Sequence, residues 1–269
     1  MARGLLQYIM LFSGRTPVVI PSTPQRMNHM KPLAYFLCLF PGIPLLAQST
    51  FQEQAARLQN INAFLQDFRP GTAPELVQVN RLELAFELYP QPSLDTTVGR
   101  KDEPVDPPSV VPRVRARYVM KNGLFAGGSI VPGIEYQDYE ADTIAAEVGY
   151  RFKMGKTTFQ VRASYSDGDV QGPITEIDVK DDFSFTNTSY DLAAGRTFGA
   201  FQVYGFLGAI DTDTELDIQS DGVHLENTES TWYAGLGATY AWRAFAFTLE
   251  QNATDDYLAN IILSAAYRF

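Results

Sequence analysis

Cysteine is nearly absent from this chain: Cys38 is the single one in 269 residues, beside two histidines and two tryptophans. One cysteine excludes an intrachain disulfide and a cysteine-based zinc site. Beyond the N-terminus no run of about 18–20 apolar residues exists, which excludes a helical membrane span. It does not exclude crossing by strands. A transmembrane strand needs only about ten alternating residues and barely registers in the mean hydropathy, here −0.13. Basic residues are also short, with 21 Lys and Arg against 31 Asp and Glu, a net charge of −10. Nucleic acid is therefore not an expected partner, because phosphate binding needs a basic face. What is abundant is hydrophobic (45%) and aromatic (13%) residues, in a length that suits one large all-β unit or two small domains.

The apolar run that does exist is N-terminal. From Met27 the chain reads "MNHMKPLAYFLCLFPGIPLLAQST": Lys31, then a mostly apolar stretch, then Leu-Leu-Ala before polar residues. This is the layout of a secretory signal peptide spanning 27–47 and cut after Ala47. Residues 1–26 read as an over-called start. The residues before Cys38 are not small, which argues against lipidation there. Loss of residues 1–47 removes Arg3, Arg15, Arg26, Lys31 and no acids, so 17 basic residues face 31 acidic ones and the net charge falls to −14. His224 is then the one histidine left.

From residue 81 the dominant period is two, the mark of strands with one apolar face. In "RLELAFELY" Leu82, Leu84, Phe86 and Leu88 alternate with Glu83 and Glu87; in "RVRARYVM" Arg113, Arg115 and Arg117 alternate with Val114, Ala116 and Tyr118. "TIAAEVGYRF" sets Ile144, Val148 and Tyr150 against Glu147 and Arg151, and "TFQVRASYS" sets Phe159, Val161 and Tyr165 against Arg162. The pattern runs through "AFAFTLEQ", with Glu250, to "YLANIILSAAYRF" at the C-terminus. About ten strands result, with eight and twelve as alternatives. Connections alternate: short at 121–123, 153–156, 199–200 and 243–244, long at 90–111, 135–142, 167–187 and 211–230. Within the last, "TELDIQSDGVHLENT" reads as a projecting hairpin. Such alternation, with Tyr and Trp at strand ends (Tyr89, Tyr150, Trp232, Trp242, Tyr257, Tyr267), predicts an up-and-down antiparallel transmembrane barrel over 80–269.

The final strand, ending Tyr267-Arg268-Phe269 with apolar residues at every second position, resembles the C-terminal signature of bacterial outer-membrane β-barrel proteins. That resemblance is to a class. It implies a Gram-negative outer membrane, contact with lipid and lipopolysaccharide, and recognition of Tyr267 and Phe269 by the barrel-assembly machinery.

With the polar face inward, Glu83, Glu87, Arg113, Arg115, Arg117, Glu147, Arg151, Arg162 and Glu250 form a lumen charge network, structural or selecting ions. Tyr204 and Phe206 point inward opposite Ala193, Gly195, Gly235 and Gly237, as ring-and-small-residue packing that plugs a narrow lumen. Before the barrel, "FQEQAARLQNINAFLQDF" has helical apolar spacing and predicts an amphipathic helix in a periplasmic segment, 48–79. "DTDTELD" offers clustered carboxylates without the helix–loop–helix calcium pattern, so no metal site and no cofactor are expected. His224 with Glu226 on its face, and Asp221 three residues away, is a poor catalytic pair; no nucleophile elbow or zinc-protease motif exists. The sequence thus predicts a non-catalytic, surface-exposed structural or interaction protein with a largely plugged lumen. A porin-like channel lined by the Glu and Arg rows is the runner-up, ahead of an outer-membrane enzyme.

Overall fold

The structure, a computed structural model, describes residues 51–66, 69–71, 73–74, 80–90, 110–135, 138–176, 179–220, 222–254 and 260–269. The leader segments 1–26 and 27–47, Asp221 and Tyr257 lie outside them.

A helix, α1 (Phe51–Gln66), precedes ten strands: β1 (Arg81–Pro90), β2 (Val110–Val119), β3 (Leu124–Val131), β4 (Glu140–Met154), β5 (Thr157–Glu176), β6 (Val179–Phe198), β7 (Phe201–Ile218), β8 (Val223–Trp242), β9 (Phe245–Thr254) and β10 (Asn260–Arg268). Each pairs antiparallel with its neighbour, and β1 pairs with β10, so the sheet closes. Closure is sealed at the last residue, where the Phe269 amide donates to the Leu82 carbonyl (3.0 Å). Among the described residues no helix is long and apolar enough to cross a membrane.

Two-residue turns join β4 to β5, β6 to β7 and β8 to β9. Gly155 and Gly199 open the first two of these with φ near +60°, the conformation that a tight hairpin demands of its first turn residue. With the β2–β3 turn and the outer ends of β1 and β10, they form one rim. The opposite rim carries the longer strands. β5 to β8 run 18–20 residues, about twice what a membrane crossing needs.

The barrel is inside-out relative to a soluble one. Phe86 (50% exposed), Ile144 (63%), Leu207 (56%) and Leu249 (54%) face outward, while Glu87 and Arg115 are buried in the lumen. Alternation fixes this, because successive residues of a strand point to opposite faces. One aromatic departs from the expected girdle. Tyr150, Trp232, Trp242 and Tyr267 are exposed, but Tyr89 is buried; it falls in register with Glu83, Ala85 and Glu87 and points inward. The 167–187 segment, expected as a loop, is strand in its described residues: β5 and β6 pair from Thr158↔Gly195 to Gly172↔Asp181 and, after a register shift, again at Glu176↔Val179. Above the apolar band Asp167, Asp169, Asp182, Ser184 and Thr186 occupy the outer face, and Val170, Ile174, Phe183 and Phe185 the inner one. The outer face changes from apolar to polar while the strand period continues. The "TELDIQSDGVHLENT" segment is a hairpin, from Thr214↔Asn227 to Ile218↔Val223.

Candidate functional site: a charged and occupied lumen

Strand register decides which charges meet. Arg115 Nη2 lies 2.7 Å from Glu87 Oε1. Arg117 grips Glu147 with two nitrogens, Nε to Oε1 at 2.5 Å and Nη2 to Oε2 at 3.0 Å. Arg162 Nη1 reaches the same Glu147 at 3.3 Å, and its Nη2 sits 2.5 Å from Asp191 Oδ2. Arg268 Nε donates to Glu83 Oε2 (3.1 Å). Glu87 thus pairs diagonally with Arg115, and Arg113, directly across from Glu87, donates to the Tyr89 hydroxyl (2.9 Å). Except for half-buried Arg151, all of these charges are buried. Buried charges are tolerable only when paired and hydrogen-bonded; here each carboxylate has an arginine or a donor within reach. Glu250 accepts from the Tyr204 hydroxyl (2.5 Å) and from the Gly71 amide (3.0 Å).

The structure adds Asp191, Arg268, Tyr89, Tyr233 and Arg69 to the lumen set. Asp191 and Arg268 were legible in principle, since each alternates with outward neighbours (Tyr190 and Leu192; Tyr267 and Phe269). Arg69 carried no periodic signal, because it lies past the end of α1. Its guanidinium stacks over Phe64 (3.7 Å) and Tyr233 (4.3 Å).

α1 and the described residues after it, 69–71 and 73–74, lie against the inner wall of the barrel. Near the long-strand rim, Ala55 and Leu58 pack with Ile174, Phe183, Phe185, Leu216 and Ile218. Deeper, Ile61, Phe64 and Leu65 pack with Tyr204, Phe206, Ile210 and Tyr233. Apolar stripe meets apolar lumen wall, and area removed from water drives the fit at about 25 cal/mol per Å². Gln59 Nε2 donates to the Leu225 carbonyl (3.0 Å) and Asn187 Nδ2 to the Ala63 carbonyl (2.9 Å); Asn60 donates to Glu229.

Beyond α1 the wall arginines take over. Arg113 donates to the Gln66 carbonyl (2.8 Å), Arg115 and Arg117 to the Pro70 carbonyl (2.6 and 2.9 Å), and Arg151 to the Pro74 carbonyl (2.5 Å). Tyr204 and Phe206 point into the lumen and pack with Ile61, Phe64 and Leu65. A Cβ on Gly237 would run into the Tyr204 ring, and one on Gly235 into the Phe206 ring; Ala193, fully buried, packs in the same cluster.

Outside the lumen, the projecting hairpins carry carboxylates on their outer face. Hydroxyls pair with several: Thr228 to Asp213 (2.7 Å), Ser230 to Asp211 (2.5 Å), Thr186 to Asp167 (3.0 Å). His224 Nδ1 lies 2.6 Å from Asp217 and its Nε2 3.2 Å from Glu226. Hydrogen bonds to Asp217 and then Glu226 raise the imidazole pKa above its usual range. Among the described residues no group of three His, Cys, Asp or Glu side chains is arranged to hold a metal ion.

Chemically, the lumen can bind and orient a chain and oppose charges across a narrow space. No protein-family model matches the chain, and no curated protein is similar to it in sequence. Among solved structures it is similar to Ail, the attachment invasion locus protein of Yersinia pestis (14% identity, 71% of this chain and 100% of that one, TM-score 0.34). It is also similar to the translocator domain of the autotransporter NalP from Neisseria meningitidis (11%, 83% and 100%, TM-score 0.40). A third is the N-terminal β-barrel domain of Pseudomonas aeruginosa OprF (13%, 71% and 98%, TM-score 0.31). None of these assigns a role or a residue to this chain. Closed, up-and-down, apolar outside and charged within, this chain has the architecture of the bacterial outer-membrane β-barrel proteins.

Proposed function

We propose that this protein is an integral barrel of a Gram-negative outer membrane, exported by a cleaved leader, with a non-catalytic structural or interaction role at the cell surface and a closed lumen. The observation that supports it best is the segment from α1 to Pro74, seated along the lumen and hydrogen-bonded to four wall arginines. Outer-membrane barrels keep short turns on the periplasmic side and long loops outside, so the extended β5–β8 hairpins stand on the outer surface. Lipid and lipopolysaccharide would surround the apolar band, and Tyr267 and Phe269, side by side on the outer face (ring centroids 4.8 Å), would meet the barrel-assembly machinery. The test is conductance. Residues 48–269 refolded into a planar bilayer, with folding verified by heat-shifted gel mobility, are expected to give no ohmic steps; stable steps would replace this reading with a passive channel.

The charged wall supports that channel as a second reading. Five buried arginines (Arg113, Arg115, Arg117, Arg162, Arg268) and five buried carboxylates (Glu83, Glu87, Glu147, Asp191, Glu250) line it, and ion passage would require the segment to leave.

A further inference from the structure

The order of contacts along the lumen shows the direction in which the chain runs. Ala55 and Leu58 lie with Leu216 and Ile218, at the tip of the β7–β8 hairpin. Ile61 and Phe64 lie lower, with Ile210 and Tyr233. Gln66 sits on Arg113, Pro70 on Arg115 and Arg117, and Pro74 on Arg151. Gly195, close to the β6–β7 turn, comes against Pro74: a Cβ there would stand 3.1 Å from Pro74 Cδ. Asn80, whose amide donates to the Val119 carbonyl, then opens β1 at the short-turn rim. The described residues from Ala55 to Pro74 therefore follow one another down the lumen from the long-strand rim towards the short-turn rim.

The manner of the grip is a second, independent observation. Between Ala63 and Pro74 the wall holds main-chain atoms: carbonyls of Ala63, Gln66, Pro70 and Pro74 accept from Asn187 and the four arginines, and the Gly71 amide donates to Glu250. Arginine is suited to this, with five donors in a fixed fork and no acceptor. Main-chain carbonyls are what every polypeptide offers, whatever its side chains.

The geometry points to a polypeptide-binding channel occupied in cis: the barrel holds its own N-terminal segment by the main chain as a through-lumen thread, and presents the N-terminal turn of α1 on the outer surface. This rests on the orientation given under the proposed function. An even number of strands would by itself leave both ends of the barrel at the short-turn rim; the thread carries one of them across.

Cysteine accessibility in intact cells tests it. Full-length variants Glu53→Cys, His224→Cys and Lys156→Cys would be treated with a membrane-impermeant polyethylene-glycol maleimide and read as a mass shift on a gel, against the parent chain. Glu53 and His224 are both exposed, in α1 and in the outer hairpin, and Lys156 in a short turn. The expected result is labelling of E53C and H224C in intact cells, and of K156C only after the outer membrane is permeabilised. Labelling of H224C without E53C would overturn the thread while leaving the barrel's orientation standing. Labelling of K156C without H224C would overturn the orientation, and with it both readings. An eight-residue epitope inserted between Thr50 and Phe51 should likewise be bound by antibody on intact cells; an epitope detected only after permeabilisation would refute the channel's display of the segment.

Discussion

Arg117 and Glu147 meet side by side across the lumen, through Nε–Oε1 at 2.5 Å and Nη2–Oε2 at 3.0 Å, although thirty positions separate them. Both are buried, and Glu147 also receives Arg162. Removing one partner of a buried pair leaves an uncompensated charge and costs about 3–5 kcal/mol. Glu147→Ala should therefore destabilise the folded barrel by about that much, seen as a lower urea midpoint in lipid vesicles. Converting the pair to apolar residues together, Arg117→Met with Glu147→Leu, should cost less than Glu147→Ala alone. Equal losses would mean that the lumen admits enough water to solvate the stranded arginine.

Tyr204 and Gly237 are opposed in register on β7 and β8, and the ring occupies the place where a side chain at 237 would go. Overpacking a filled interior costs about 1–3 kcal/mol. Gly237→Ala should lose stability in that range in urea titrations, and adding Tyr204→Ala should recover part of it. A second change that deepens the loss would show that the Tyr204–Glu250 hydrogen bond outweighs the packing.

His224 titrates in the outer hairpin, beyond the apolar band, with Asp217 opposite it on β7 and Glu226 two residues along on its own strand. Asp182 faces Asp217 from β6, and Glu215 faces Glu226 from β7. The folded pKa is raised, so the contribution of the imidazolium is complete below its unfolded value, about 6.5, and is lost as pH rises through the folded value. Proteolytic nicking of the β7–β8 hairpin in the folded protein should increase across that rise. His224→Asn should flatten the dependence; an unchanged pH profile in that variant would locate the titrating group elsewhere.

Phe269 is 62% exposed at the end of β10, and its amide closes the seam with Leu82. Deleting Phe269 should reduce the assembled fraction in cells several-fold, measured by heat-shifted mobility of outer-membrane extracts, while refolding into vesicles proceeds. Equal loss in both settings would make Phe269 a structural element of the seam only.

The sequence by itself determined the barrel. A period of two from residue 81 and short turns alternating with longer connections pointed to an antiparallel barrel of about ten strands, because the β pleat sends neighbours to opposite faces whatever the tertiary context. It placed Tyr204 and Phe206 opposite small residues, and it identified α1 from its helical spacing. Tertiary structure decided the partners. Glu87 pairs with the diagonal Arg115, Arg151 goes to a Pro74 carbonyl, and Glu147 is shared by two arginines, because side-chain reach and closure of the sheet set these distances. It also decided where the helix lies. An apolar stripe specifies that α1 must be covered by an apolar surface but not which one; only the closed lumen, with Ile210, Tyr233 and Leu216 facing inward, offered a wall for it. The polar outer faces of β5 to β8 misled for the same reason: a strand that leaves the membrane exchanges apolar for polar neighbours on its outer side while its inner side, packed on α1, keeps the alternation going.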